Sequence, residues 1–229
     1  MSLKHYFYMD MSKLESKGFA FRIRKRSVRM VSKQEEIVKQ LTEKQLLFHL
    51  YMTQLLLMIL ALIIGFILFD SWGEFTQLWD LKDVKIITWG ASFAFFVIII
   101  DLFIMKFVPK HLYDDGGINE KMFRRLPYGH ILIVTMIISV TEEILFRGVL
   151  QVHSGIWIAS LIFALAHIRY LRKWLLLITV VVLSFMLGVM FEVTNNIIIT
   201  IFAHFLIDLF FASKIRFDYL QSRRGEKYE

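Results

Sequence analysis

The chain contains no cysteine. That excludes disulfides, thiolate nucleophiles and thiolate zinc sites, and leaves the redox compartment undetermined. Proline occurs only twice in 229 residues. Neither an inverted repeat nor a span broken by Gly or Pro near its middle is evident, which argues against a proton-coupled transporter. Charge is scarce too: 21% of residues are charged against 57% hydrophobic, and the mean hydropathy of +0.57 belongs to the membrane class. No soluble second domain is visible. The net charge of +7 reads as cytoplasmic loops facing anionic lipid, and a nucleic-acid partner is not expected.

Residues 1–45 are polar and basic, with Arg22, Arg24, Lys25, Arg26 and Arg29 interleaved with Phe19, Phe21, Ile23, Val28 and Met30. This stretch is expected to be a cytoplasmic arm on the membrane surface, with Ser32 capping a short helix. A cleavable signal peptide is not expected, because the first long apolar run begins near Leu46. Six apolar stretches follow, at about 46–69, 86–108, 130–151, 155–171, 174–191 and 195–213. About 20 residues of helix cross a bilayer, so the first three and the last are comfortable spans and the fourth and fifth are shorter. Basic residues alternate across the connections. Lys110, Lys121, Arg124 and Arg125 fill one, Arg169, Arg172 and Lys173 another, and the turns at 152–154 and 192–194 have none. The fold expected is an all-α membrane bundle of about six helices over residues 46–213, with both termini and the basic tail 214–229 in the cytoplasm. Asp114-Asp-Gly-Gly117 is expected to be a turn, since it lacks the spaced oxygen ligands of an EF-hand loop.

Against this apolar background the charged residues inside the spans stand out. A charge at helix centre in lipid costs roughly 2.5–3.5 kcal/mol, so such residues face a protein interior or a wet cavity and mark function. Ser139-Val-Thr-Glu-Glu-Ile-Leu-Phe-Arg-Gly148 carries three of them. On a helix Glu143 and Arg147 are one turn apart and can pair, whereas Glu142 points about 100° away. Later spans add His167, and His204 with Asp208 one turn on. Placing the middle of each span at the bilayer centre sets Glu142 and His204 near the midplane, and His167 and Asp208 one turn toward the cytoplasm. Other polar residues have plainer readings. Lys106 snorkels, Asp101 pairs with it or faces the cavity, and His49, His130 and His153 sit at span ends. Ser139, Ser160 and Ser184 read as packing or hydrogen-bonding residues, which disfavours a serine nucleophile.

The succession Glu-Glu-x-x-x-Arg, Phe-x-x-x-His and His-x-x-x-Asp on successive spans resembles the CAAX-protease and bacteriocin-processing (Abi) family of intramembrane endopeptidases, which includes type II CAAX prenyl endopeptidases. The resemblance covers about residues 125–213. It implies hydrolysis of a peptide or protein tail entering from the cytoplasmic side. It also implies that Glu142 with His167 activates water, that His204 with Asp208 stabilises the oxyanion, and that Glu143 and Arg147 support them. Asp208 departs from the Asn often found in the family, and Asp cannot donate a hydrogen bond unless protonated. No cofactor is expected to be required. Zinc is the alternative, with His167, His204, Glu142 and Asp208 as its ligands, although the first motif is not the His-Glu-x-x-His of zincins. The partners implied are a peptide or membrane-protein substrate, the bilayer and a further membrane protein. The location implied is the plasma membrane of a bacterium or the endoplasmic reticulum of a eukaryote. A non-catalytic scaffold or bacteriocin-immunity protein that keeps the protease-like fold is the alternative function, and the intact motif residues count against it.

Overall fold

A computed structural model of the chain describes residues 40–167, 170 and 173–225. Two units are distinguished, Met1–Leu41 and Thr42–Glu229. The arm expected over residues 1–45, including Ser32, lies outside the described residues up to position 39, as do Arg169 and Arg172.

The second unit is built from six helical segments, here α1 to α6: Glu43–Leu68, Ile86–Phe107, Tyr128–Glu143, Val152–Ala166, Trp174–Thr194 and Ile197–Gly225. Short helices at Trp72–Thr76, Lys110–Tyr113 and Ile118–Phe123 lie in the connections, and no strand occurs among the described residues. α1 starts in a capping box. The Thr42 hydroxyl accepts from the Gln45 amide at 3.3 Å, and the Gln45 side chain accepts from the Thr42 amide at 2.8 Å. The turn at Asp114–Gly117 forms because Asp114 and Asp115 accept backbone N–H bonds from residues 116–119, delivering the chain into Ile118–Phe123.

Among the described residues, five helices are long and apolar enough to cross a membrane, where six spans were expected. The difference lies in Tyr128–Ala166, a run of 39 residues. α3 passes into a π-helical segment, Ile144–Gln151, and then into α4, but Gly155 inside α4 has φ 79° and ψ 166°. A straight helix would separate Phe146 from Phe163 by about 25 Å. Their rings lie 4.7 Å apart, so the run folds back on itself at Gly155 and α4 returns along the π-helical segment. The backbone there occupies a region essentially confined to glycine.

Side chains such as Phe66, Ile67, Phe95 and Trp157 are largely exposed along the helices, as a lipid-facing surface requires. α6 is the central element, with 50% of its apolar window buried against 17% for α1 and for α2. Small residues let its neighbours approach. A Cβ on Gly148 would meet Ile197 Cδ1 at 2.9 Å, and one on Gly188 would meet Ile156 Cγ1 at 2.8 Å. α6 also runs on to Gly225, so most of the tail expected at 214–229 is its continuation. This arrangement brings Glu143 of α3 against His204 of α6, and Gln54 of α1 against Thr141 and Glu142 of α3.

Candidate active site

Glu143 and Arg147 are both fully buried and form an ion pair, Nε to Oε2 at 3.3 Å, one turn apart. The other oxygen of Glu143 lies 3.0 Å from His204 Nδ1. On the far side of that ring, Nε2 lies 3.6 Å from Asp208 Oδ2. Arg147 in turn donates to the Ser184 carbonyl at 3.1 Å and its hydroxyl at 3.3 Å, and lies 5.4 Å from the centre of the Phe163 ring. That ring stacks on His167 at 4.7 Å. A continuous chain of contacts therefore runs from Asp208 through His204, Glu143, Arg147 and Phe163 to His167. Burying these charges is tolerated because each has an opposite charge or a hydrogen-bond partner.

Glu142 belongs to a second, adjoining group. Its Oε1 receives Gln54 Nε2 of α1 at 3.4 Å, and Gln54 Oε1 receives the Thr141 hydroxyl. His167 Nδ1 is 2.9 Å from the Phe163 carbonyl, an acceptor only, so that nitrogen carries the proton. In the neutral ring the lone pair is then on Nε2.

Of the pairs the resemblance implied, His204 lies beside Asp208 and also beside Glu143, while among the described residues no hydrogen bond or ion pair joins Glu142 to His167. The reason is azimuthal: successive residues on a helix diverge by about 100°, and here Glu143 faces α6 while Glu142 faces α1. Asp101 does not pair with Lys106. Asp101 lines a cavity of about 160 Å³ with Tyr113, Thr179 and Phe211, and Lys106 Nζ lies over the Phe107 ring. His130 is held by the Tyr51 hydroxyl at 2.8 Å, and His153 by the Val149 carbonyl. Ser139 donates to the Met136 carbonyl, Ser184 serves Arg147, and Ser160 is buried among helices, so none of the three meets a base. Among the described residues no group of three or more His, Asp and Glu side chains is arranged to hold a metal ion. The four side chains named for the zinc alternative do not form such a group here.

Gln54 and Thr141 are the participants that motif spacing missed, whereas Phe163 stands in Phe-x-x-x-His and Ser184 fills the hydrogen-bonding role read for it. Gln54 carried a usable signal: a glutamine inside an apolar span is costly and needs a partner.

Residues 124–210 match a family described as type II CAAX prenyl endopeptidase Rce1-like. The uncharacterised protein YpbD of Bacillus subtilis (strain 168) is 48% identical to the chain over 177 residues, covering 77% of this chain and 94% of YpbD. The chain belongs to the Rce1-like CAAX-protease family. No solved structure matches it. The segment matched to the Rce1-like family holds every residue of both polar groups except Gln54, which α1 contributes from outside it.

Proposed function

We propose that the chain is an intramembrane endopeptidase, cleaving a peptide or protein tail that enters from the cytoplasmic side of the plasma membrane, with both termini in the cytoplasm. The observation that carries this reading is the buried array Asp208–His204–Glu143–Arg147 with Glu142 beside it, in a chain whose Rce1-like membership implies protease-type chemistry. Amide hydrolysis needs a base for water, a donor for the oxyanion and a proton for the leaving amine. Glu142, assisted by His167 Nε2, takes a proton from water as the oxygen attacks the carbonyl carbon. Nε2–H of His204 donates to the oxyanion, and Asp208, 3.6 Å from that nitrogen, supports the donor. The proton on Glu142 then passes to the amide nitrogen, the C–N bond breaks, and a carboxylic acid and an amine leave. Glu143 and Arg147 fix the His204 ring from its other nitrogen and take no proton themselves.

The test is cleavage of quenched peptides, with and without a prenyl chain, by protein in liposomes. Wild type cleaves, Glu142→Gln and His204→Ala do not, and chelator leaves the rate unchanged. Equal cleavage by wild type and Glu142→Gln would remove Glu142 from the chemistry. A scaffold function that survives Glu142→Gln, with no peptide cleaved, would overturn the enzyme reading.

A further inference from the structure

Gln54 is 4% exposed, lies in an apolar helix, and among the described residues its amide bonds two side chains, Glu142 and Thr141. Thr141 has more than one way to use its single hydroxyl proton. Its Oγ1 reaches Gln54 Oε1, but it also lies 2.8 Å from the Ile137 carbonyl one turn back and 3.1 Å from that of Ile138. Two complete bonding patterns follow from these positions and the donor capacities of the groups. With Glu142 ionised, Gln54 Nε2 donates to Glu142 Oε1, and Thr141 donates to Gln54 Oε1. With Glu142 protonated on its Oε1, a half-turn of the amide brings Gln54 Oε1 to accept from the carboxyl O–H. Nε2 then donates to Thr141 Oγ1, and the Thr141 proton turns to the Ile137 carbonyl. The terminal amide torsion is broad and roughly two-fold, so both ends of the motion are accessible.

We infer that Gln54 is a positioning residue that follows the protonation state of Glu142 by reversing its amide, with Thr141 as its counterpart. The inference rests on the reading of Glu142 as the base. No proton leaves the carboxyl in this exchange; only the donors and acceptors around it trade roles. A fixed donor at position 54 would keep the proton that Glu142 has just taken from water off Oε1. A fixed acceptor would oppose the carboxylate before that step. An amide anchored by a hydroxyl with a spare carbonyl behind it satisfies both, and keeps the carboxyl group in one place between them.

The experiment is an infrared pH titration in liposomes, which needs no turnover. The Glu142 carboxyl band is identified by its loss in Glu142→Gln, and the Gln54 amide band by its loss in Gln54→Leu. The two bands are expected to change with one midpoint in wild type, and the amide band is expected to be silent to pH in Glu142→Gln. Thr141→Val uncouples them, and Thr141→Ser restores the coupling. An amide band that ignores pH in wild type, or Thr141→Val behaving as wild type, overturns the inference. In the cleavage assay Gln54→Leu lowers kcat about tenfold or more with KM little changed, the loss expected for a hydrogen bond to a charged group. Coupled titration without Glu142-dependent cleavage would sink the enzyme reading and keep the amide exchange. Glu142-dependent cleavage with uncoupled bands would do the reverse.

Discussion

The guanidinium of Arg147 is shared among the Glu143 carboxylate, the carbonyl and hydroxyl of Ser184 and the face of Phe163, and the residue is fully buried. Removing one partner of such a pair strands the other, at a cost of about 3–5 kcal/mol. Arg147→Met is therefore expected to lower thermal stability in detergent steeply. Arg147→Lys should rescue little of it, because an ammonium cannot span carboxylate, carbonyl and ring from one planar fork. The neighbouring glutamates should separate in the same assay. Glu143→Gln loses stability and activity together, while Glu142→Gln loses peptide cleavage and keeps a near-wild-type melting temperature. A large stability loss in Glu142→Gln would contradict its placement on the less crowded side toward α1. The Glu143–Arg147 pair was legible from a spacing of one turn. Which glutamate His204 takes was not, since spacing along one helix carries no information about where a second helix stands around it.

At the scale of elements, the fold-back at Gly155 makes the clearest prediction. A Cβ there would meet no atom within 4 Å, so the cost of Gly155→Ala is backbone strain alone, about 1–3 kcal/mol. Gly188→Ala tests the opposite cause, with an ordinary helical backbone but Ile156 and Gln151 in the way at 2.8 and 3.0 Å. Thermal unfolding of the two variants, with Gly129→Ala as a control in open space, should show losses in the first two only. Hydropathy found the apolar stretches because lipid imposes a length and a composition. It did not find the π-helical segment at Ile144–Gln151 or the end of α6. A change of helical pitch leaves no periodic signature in an all-apolar run. The charges after 213 ended the apolar count while Lys214 and Asp218, one turn apart at 2.6 Å, kept the helix going.

For the molecule as a whole, the extension of α6 matters for cohesion. Its 29 residues span about 44 Å against a hydrocarbon layer of about 30 Å, so it projects well beyond the apolar zone. There Arg216 donates to the Arg124 carbonyl and Tyr219 accepts from Arg125, while Arg124 and Arg125 both reach Glu43 at the start of α1. Glu43→Gln should cost at most about 1 kcal/mol, because the pairs are partly exposed. It should nonetheless speed amide exchange at residues 118–126, and high salt should mimic it. Unchanged exchange would show that the cluster ties nothing together. The fold-back has a further consequence at this scale. Glu143 lies twelve residues before Gly155 and His167 twelve residues after it. The hairpin thus counts the same number of residues from the glycine on both arms, one of which includes the π-helical segment. One residue added to a single arm shifts that arm's chemistry by about 1.5 Å and swings it by about 100°, so the two arms are free to lengthen or shorten only in step.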